Sequence, residues 1–213
     1  SRSKSLQNQK REQEQLTADQ RKQKSMLSSL KKQEKDLLAK QKNQQKKVDE
    51  LNKKIEQLIA KQVQTTTTLT KEQKLIAGGF EANQGRLPWP IEKGFISGHF
   101  GKHKHPVHEH VTINNKGIYL QTISGASARA IYEGEVTWCS QMNGAYAVII
   151  QHGNYRSVYS QLKSIKVKQG DKVQAKQSIG EIMTNTSEDN KTELYFQIYK
   201  DRNILNPSLW LAQ

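Results

Sequence analysis

The sequence predicts an α+β chain in which a long N-terminal coiled-coil helix precedes a mainly antiparallel β domain. Three observations carry that expectation. From Ser1 to about Leu75 there is no Gly and no Pro, and Lys, Gln, Glu and Leu dominate, as they do in long helices. Apolar residues in that stretch recur at heptad spacing. After Pro90 the texture changes to short β-rich runs separated by turn residues. The expected divisions are a helical coiled-coil region over 1–75, a linker and regulatory segment over 76–92, and the β domain over 93–213.

Leu16, Leu30, Leu37, Leu51 and Leu58 share one heptad position, and Leu6, Leu27, Val48 and Ile55 share its companion. Together they form a coiled-coil seam, which Gln13, Gln20, Gln23, Glu34, Gln41, Gln44 and Gln62 interrupt and weaken. At 1.5 Å per residue, roughly 65 helical residues make a rod of roughly 100 Å. The run Thr65-Thr66-Thr67-Thr68 stacks β-branched residues of low helix propensity, so the helix should end or kink there. A short second helix is expected near Lys71–Ile76, stopping at Gly78-Gly79, with Phe80–Pro90 as the connection. Strands are expected over Ala128–Ile131, Glu135–Cys139, Ala147–Gln151, Arg156–Ser160 and Glu193–Tyr199. Gly134, Asn143-Gly144, Gly153-Asn154 and Gly170-Asp171 should turn the chain between them. Many short strands at this spacing build a sandwich or barrel.

Only 34% of the 213 residues are hydrophobic and the mean hydropathy is −0.85, so part of the chain should lie outside any core. The net charge of +14 points to an anionic partner: nucleic acid, membrane phosphates, cell-wall polymer or an acidic protein face. The helical half has no aromatic residue to stack on bases, which argues against nucleic acid. A single cysteine, Cys139, excludes an intramolecular disulfide. The first residue is Ser1 rather than Met and no apolar run is long enough for a membrane span or a signal h-region, so the sequence reads as a fragment or processed chain, with any targeting signal or anchor expected outside it.

Five of the six histidines, His99, His103, His105, His108 and His110, crowd the stretch HFGKHKHPVHEH. A catalytic zinc, an adventitious surface site for nickel or zinc, and plain loop histidines are all open readings. The last is preferred, because ligands without a fixed scaffold and supporting hydrogen bonds hold metal only loosely.

The segments GASARAIYEGEVTW, AVIIQHGNYRSVYSQL, IKVKQGDKVQAKQSIGEI and ELYFQIYKDRNILNPSLWL resemble, in order and spacing, the LytM/lysostaphin-type domain of zinc endopeptidases that cut peptidoglycan cross-bridges. The resemblance covers about 120 residues. It implies a tight hairpin around Gly170-Asp171, a closing Asn206-Pro207 and a structural role for His152. In active members His-x-x-x-Asp and the second His of His-x-His hold zinc, while the first His of His-x-His and the His of Tyr-x-His-Leu are catalytic. Here the corresponding segments read Asn115-Lys116-Gly117-Ile118-Tyr119, Glu193-Leu194-Tyr195-Phe196 and Tyr159-Ser160-Gln161-Leu162. The resemblance therefore implies a degenerate site at Asn115, Tyr119, Gln161, Glu193 and Tyr195, with no metal, no cofactor and no catalysis.

A long helix joined through FEANQGRLPWP to such a domain is similar to the EnvC-type murein hydrolase activators. That similarity implies a periplasmic protein of cell division. Its vacant groove would bind and switch on an N-acetylmuramoyl-L-alanine amidase, and its coiled coil would receive a signal from an FtsEX-type transporter complex. Peptidoglycan is a further expected contact, and nucleic acid is not expected. Lys116, Gln161, Glu193 and Tyr195 are the expected groove residues, and the segment near Lys71–Ile76 is a candidate to occupy the groove at rest. The alternatives are a peptidoglycan-binding scaffold without activator role and an active peptidoglycan endopeptidase.

Overall fold

The structure, a computed structural model, describes residues 2–66, 68–104 and 112–213. Helix α1 spans Arg2–Thr65 and α2 spans Lys71–Ala82. The strands follow in chain order: β1 (Phe95–Gly98), β2 (Gly101–Lys104), β3 (Thr112–Asn115), β4 (Ile118–Thr122), β5 (Ser127–Arg129), β6 (Gly134–Met142) and β7 (Ala145–His152). Then come β8 (Tyr155–Ile165), β9 (Lys172–Val173), β10 (Ser178–Ile182), β11 (Thr184–Asn185), β12 (Lys191–Lys200) and β13 (Asn203–Leu205). The chain divides into two compact units, 1–50 and 51–213.

The first unit is helical throughout its described residues. Its seam residues Leu6, Leu16, Leu27, Leu30 and Leu37 are all exposed. Helix α1 ends at Thr65, as the threonine run predicts. The hydroxyls of Thr65 and Thr66 donate back to the Gln62 carbonyl at 3.0 and 2.9 Å, beside the Thr66 N–H that donates to the same oxygen at 3.1 Å, so both threonine side chains fold back on the last turn.

In the second unit, β1-β4-β12-β8-β7-β6-β9 are neighbours in one eleven-stranded sheet, and β2 pairs with β3 in a separate two-stranded sheet. The named strand pairs are antiparallel, in agreement with the predicted fold class. At Asn143-Gly144 both residues have positive φ (52° and 85°), and the β6–β7 hairpin turns there. The turn at Gly170 is present, but β9 after it pairs with β6 and not with the preceding chain, so the expected local hairpin gives way to a longer-range pairing.

Alternation sends successive side chains to opposite faces of the sheet. One face carries Val148, Ile150, Tyr155, Tyr159, Leu194, Phe196 and Ile198 into the main core, and the other carries Ile149, Val158 and Tyr199 into a second cluster. Helix α2 packs on the main-core face, where Phe80 stacks against Tyr155 and His152 at ring-centroid distances of 4.7 and 5.0 Å. Thr70 and Gln73 form a capping box at its start. The helix does not stop at Gly78-Gly79 as expected but runs on to Ala82. Gly79 serves close packing here: a Cβ on it would lie 2.3 Å from the Tyr132 hydroxyl. Phe80–Pro90, read as a connection, is packed into the domain, with Phe80 and Leu87 buried and the Trp89 indole donating to the Ala212 carbonyl at 2.8 Å.

Candidate functional site

The face of the sheet away from the main core gathers the positions singled out in the sequence. Tyr195 on β12 lies directly opposite Tyr119 on β4 and Ser160 on β8. The rings of Tyr119 and Tyr195 contact at a centroid distance of 4.7 Å. Two residues along β12, Gln197 pairs with Val158, and two further on Tyr199 pairs with Arg156. A strand period of two thus makes one continuous surface of Tyr195, Gln197 and Tyr199 beside Ser160, Val158 and Arg156.

The end of α1, from Leu51 to Val63, lies on this surface. Ile55 and Ile59, one helical turn apart, are buried against Ile149, Val158 and Tyr199, with Leu51, Leu58, Val63, Trp138 and Ile204 around them. Polar contacts flank the apolar strip. The Tyr195 hydroxyl and the Gln197 amide both donate to the Asn52 side-chain oxygen at 3.1 Å. Lys116 forms a half-exposed ion pair with Glu56. Farther along, Arg156 Nε donates to Gln62 Oε1 at 3.0 Å, and the Thr137 hydroxyl donates to the same oxygen at 3.3 Å.

Two expectations are corrected by this arrangement. Leu51, Ile55 and Leu58, placed by spacing on the coiled-coil seam, pack on the sheet; an i, i+4 apolar stripe fits a sheet face as well as a helix, so periodicity alone does not name the partner. The segment that covers the groove is 51–63, while the Lys71–Ile76 candidate belongs to α2 on the opposite face.

The remaining site residues fall close by with different surroundings. Asn115 is buried and its amide donates to the His99 carbonyl at 2.9 Å. Glu193 accepts from the Ser97 hydroxyl at 2.5 Å and pairs with Lys191 at 2.7 Å. Gln161 sits at a positive φ of 68°, where β8 is bulged, and its carbonyl accepts from Met183 N at 2.9 Å. The three side chains at the positions that the resemblance assigns to zinc, Asn115, Tyr119 and Tyr195, are a carboxamide engaged with a carbonyl and two phenols in tilted ring contact. They do not fit a tetrahedral zinc set of imidazole, carboxylate or thiolate donors. Among the described residues no group of three His, Cys, Asp or Glu side chains has a metal-binding arrangement. His103 lies on β2, whereas His105, His108 and His110 of the histidine cluster lie outside the described residues.

Burial sets the electrostatics of the surface. The Arg156 guanidinium is held below its ordinary pKa by desolvation, against which the charge of Asp201 acts. Burial pushes the Tyr199 phenol far up, with the nearby Glu56 and Tyr195 adding to it, so it stays neutral. On the main-core face His152 is fully buried between the Glu133 carbonyl, 2.6 Å from Nδ1, and the Ser157 hydroxyl, 2.7 Å from Nε2. The carbonyl fixes Nδ1 as the donor, leaving Nε2 to accept, and desolvation lowers the imidazole pKa to about 4 despite the carbonyl contact.

Sequence reading alone misses Arg156, Gln197 and Tyr199 on the sheet and Asn52, Glu56 and Gln62 on the helix. Counting by twos from Tyr195 along β12 would have reached Gln197 and Tyr199. No local signal marks the pairing of Gln62 with Arg156, which are 94 positions apart.

Residues 113–207 match Peptidase family M23. The chain is 25% identical over 154 residues to the murein hydrolase activator EnvC of Escherichia coli (strain K12), an alignment covering 70% of this chain and 35% of that protein. It is 33% identical over 137 residues to an uncharacterized protein of Neisseria meningitidis serogroup B, covering 63% of this chain and 22% of that protein. The chain thus spans well under half the length of these relatives. Among solved structures, Csd3 of Helicobacter pylori superposes with a TM-score of 0.51 at 23% identity, covering 61% of this chain and 36% of that one. A chain of the SpoIIQ–SpoIIIAH pore-forming complex gives the same TM-score and identity over 61% of this chain and 92% of its own. These two likenesses show the fold.

Proposed function

We propose that this chain, whose C-terminal domain is a LytM-type domain of Peptidase family M23, is a non-catalytic activator of N-acetylmuramoyl-L-alanine amidases in periplasmic peptidoglycan cleavage during cell division. The sheet face carrying Tyr195, together with Lys116 in the β3–β4 connection, binds a helix of the amidase. The N-terminal helix receives the signal, from an FtsEX-type transporter complex, that frees this face. Similarity to the murein hydrolase activator EnvC supports the reading at the level of the family.

One observation carries the proposal: the face already accepts an amphipathic helix. Ile55 and Ile59 fill its apolar strip while Asn52 and Glu56 meet its polar rim. A face that buries one helix of this kind suits another of the same chemistry. Segment 51–63 and the amidase helix then compete, and a signal that weakens the internal contact shifts the population toward the open face by that free-energy difference. The rim pair Lys116–Glu56 is part-exposed and worth about 1 kcal/mol or less, so it directs recognition more than it holds the segment closed.

The test is amidase release of dye-labelled peptidoglycan with and without the chain. The chain alone should release no dye, the amidase should be stimulated, and Ile59→Asp, which places a charge in the apolar strip, should stimulate more than the parent. Lys116→Ala added to Ile59→Asp should lower that stimulation. Release by the chain alone would favour an endopeptidase, and peptidoglycan binding without stimulation would favour a scaffold.

A further inference from the structure

Among the described residues, four buried side-chain polar atoms have no hydrogen-bond partner: Arg156 Nη1, Ser160 Oγ, Gln197 Oε1 and Ser178 Oγ. The first three belong to the surface beneath α1, whereas Ser178 is on β10. Buried polar atoms are normally satisfied, so a cluster of exceptions under one helix segment marks an imperfect fit between that segment and the surface.

Arg156 is the extreme case. It is 2% exposed, and among the described residues its one side-chain hydrogen bond is from Nε to the neutral amide of Gln62. A guanidinium offers five donors in a fixed fork that matches a carboxylate, and its burial is costly unless the charge is met. Asp201, the acid acting on it electrostatically, is exposed, and its carboxylate accepts from the Asn154 amide at 3.4 Å. The single acceptor oxygen that Gln62 supplies is shared with Thr137.

We infer that Arg156 is a recognition site for a carboxylate on the partner's helix, and that Gln62 holds its place in the closed chain with a weaker, neutral contact. The partner helix then carries two acidic residues six positions apart, matching Glu56 and Gln62, with aliphatic residues at positions matching Ile55 and Ile59 between and beside them. The first acid meets Lys116 and the second meets Arg156. The substitution of amide for acid at position 62 gives the incoming helix an advantage over the internal segment that burial of the same apolar strip would not provide. This inference rests on reading the face as one that accepts a partner helix.

The experiment uses the full chain opened by Ile59→Asp, with near-UV circular dichroism to confirm that the β domain is folded. The probes are fluorescent peptides of residues 49–66, one with the parent sequence and one with Gln62→Glu. The Gln62→Glu peptide should bind about tenfold tighter, the lower end of what a charge-assisted hydrogen bond adds, and Arg156→Gln in the chain should abolish the difference. In the otherwise unaltered chain, Gln62→Glu should slow amide exchange across 51–63 by a similar factor. Equal binding of the two peptides, or a preference that survives Arg156→Gln, overturns the assignment of Arg156 while leaving the helix-accepting face intact. If neither peptide binds the opened chain, the reading of the face fails and the inference falls with it.

Discussion

Truncating Ile59 to alanine should open segment 51–63 while leaving the β domain folded. Ile59 is 1% exposed and packs on Ile149, Val158 and Tyr199. Alanine removes three side-chain carbons, a transfer loss of about 2.4 kcal/mol at ~0.8 kcal/mol per methylene. The cavity left behind brings the cost to about 3 kcal/mol, within the measured span for large-to-small core changes. Alanine is the better helix former, so the cost falls on docking and not on the helix itself. About 3 kcal/mol corresponds to roughly a 150-fold larger open population. Hydrogen exchange followed by mass spectrometry should therefore show amides in 51–63 exchanging faster by about two orders of magnitude, with β8 and β12 little changed. Ile59→Val, costing about 1 kcal/mol, should give roughly a fivefold effect. Exchange that accelerates equally in 51–63 and in the central strands would refute the reasoning, because the segment would then be a structural part of the sheet.

The opposite face gives two further outcomes. Phe80→Ala should destabilise the whole domain by about 3–5 kcal/mol, read as a lower urea midpoint, because the ring stacks against Tyr155 and His152 and contacts Trp210 at a tilt; a loss below about 1 kcal/mol would make α2 peripheral. His152 is held neutral in the fold with a pKa lowered to about 4 from 6.5, so the unfolded state binds the extra proton first. Its contribution is complete above about pH 6.5 and declines as pH falls toward about 4, by about 3 kcal/mol in all. His152→Gln should flatten that part of the stability profile.

Legibility in the sequence followed the range of the interactions. The end of α1 at the threonine run, the Asn143-Gly144 hairpin and the strands around Ala147–Gln151, Arg156–Ser160 and Glu193–Tyr199 are local consequences of propensity and turn chemistry, and the structure has them all. Tyr119 and Tyr195 came together because motif spacing within a known fold encodes a shared surface. The destination of the α1 stripe was hidden, since Ile55 and Ile59 look alike to a partner helix and to a sheet. Gly79 is ambiguous in the sequence for a related reason: a helix stop and a close contact with Tyr132 call for the same residue. Arg156 carried no mark at all, because its environment is assembled from distant parts of the chain.

The central claim is that the amidase takes the face on which 51–63 rests. Its most direct test is hydrogen exchange of the full chain with and without saturating N-acetylmuramoyl-L-alanine amidase. The account predicts that amidase binding speeds exchange across 51–63 while β8 and β12, carrying Arg156 and Tyr195, keep or gain protection. Stimulation of the amidase with 51–63 as protected as in the free chain would contradict it.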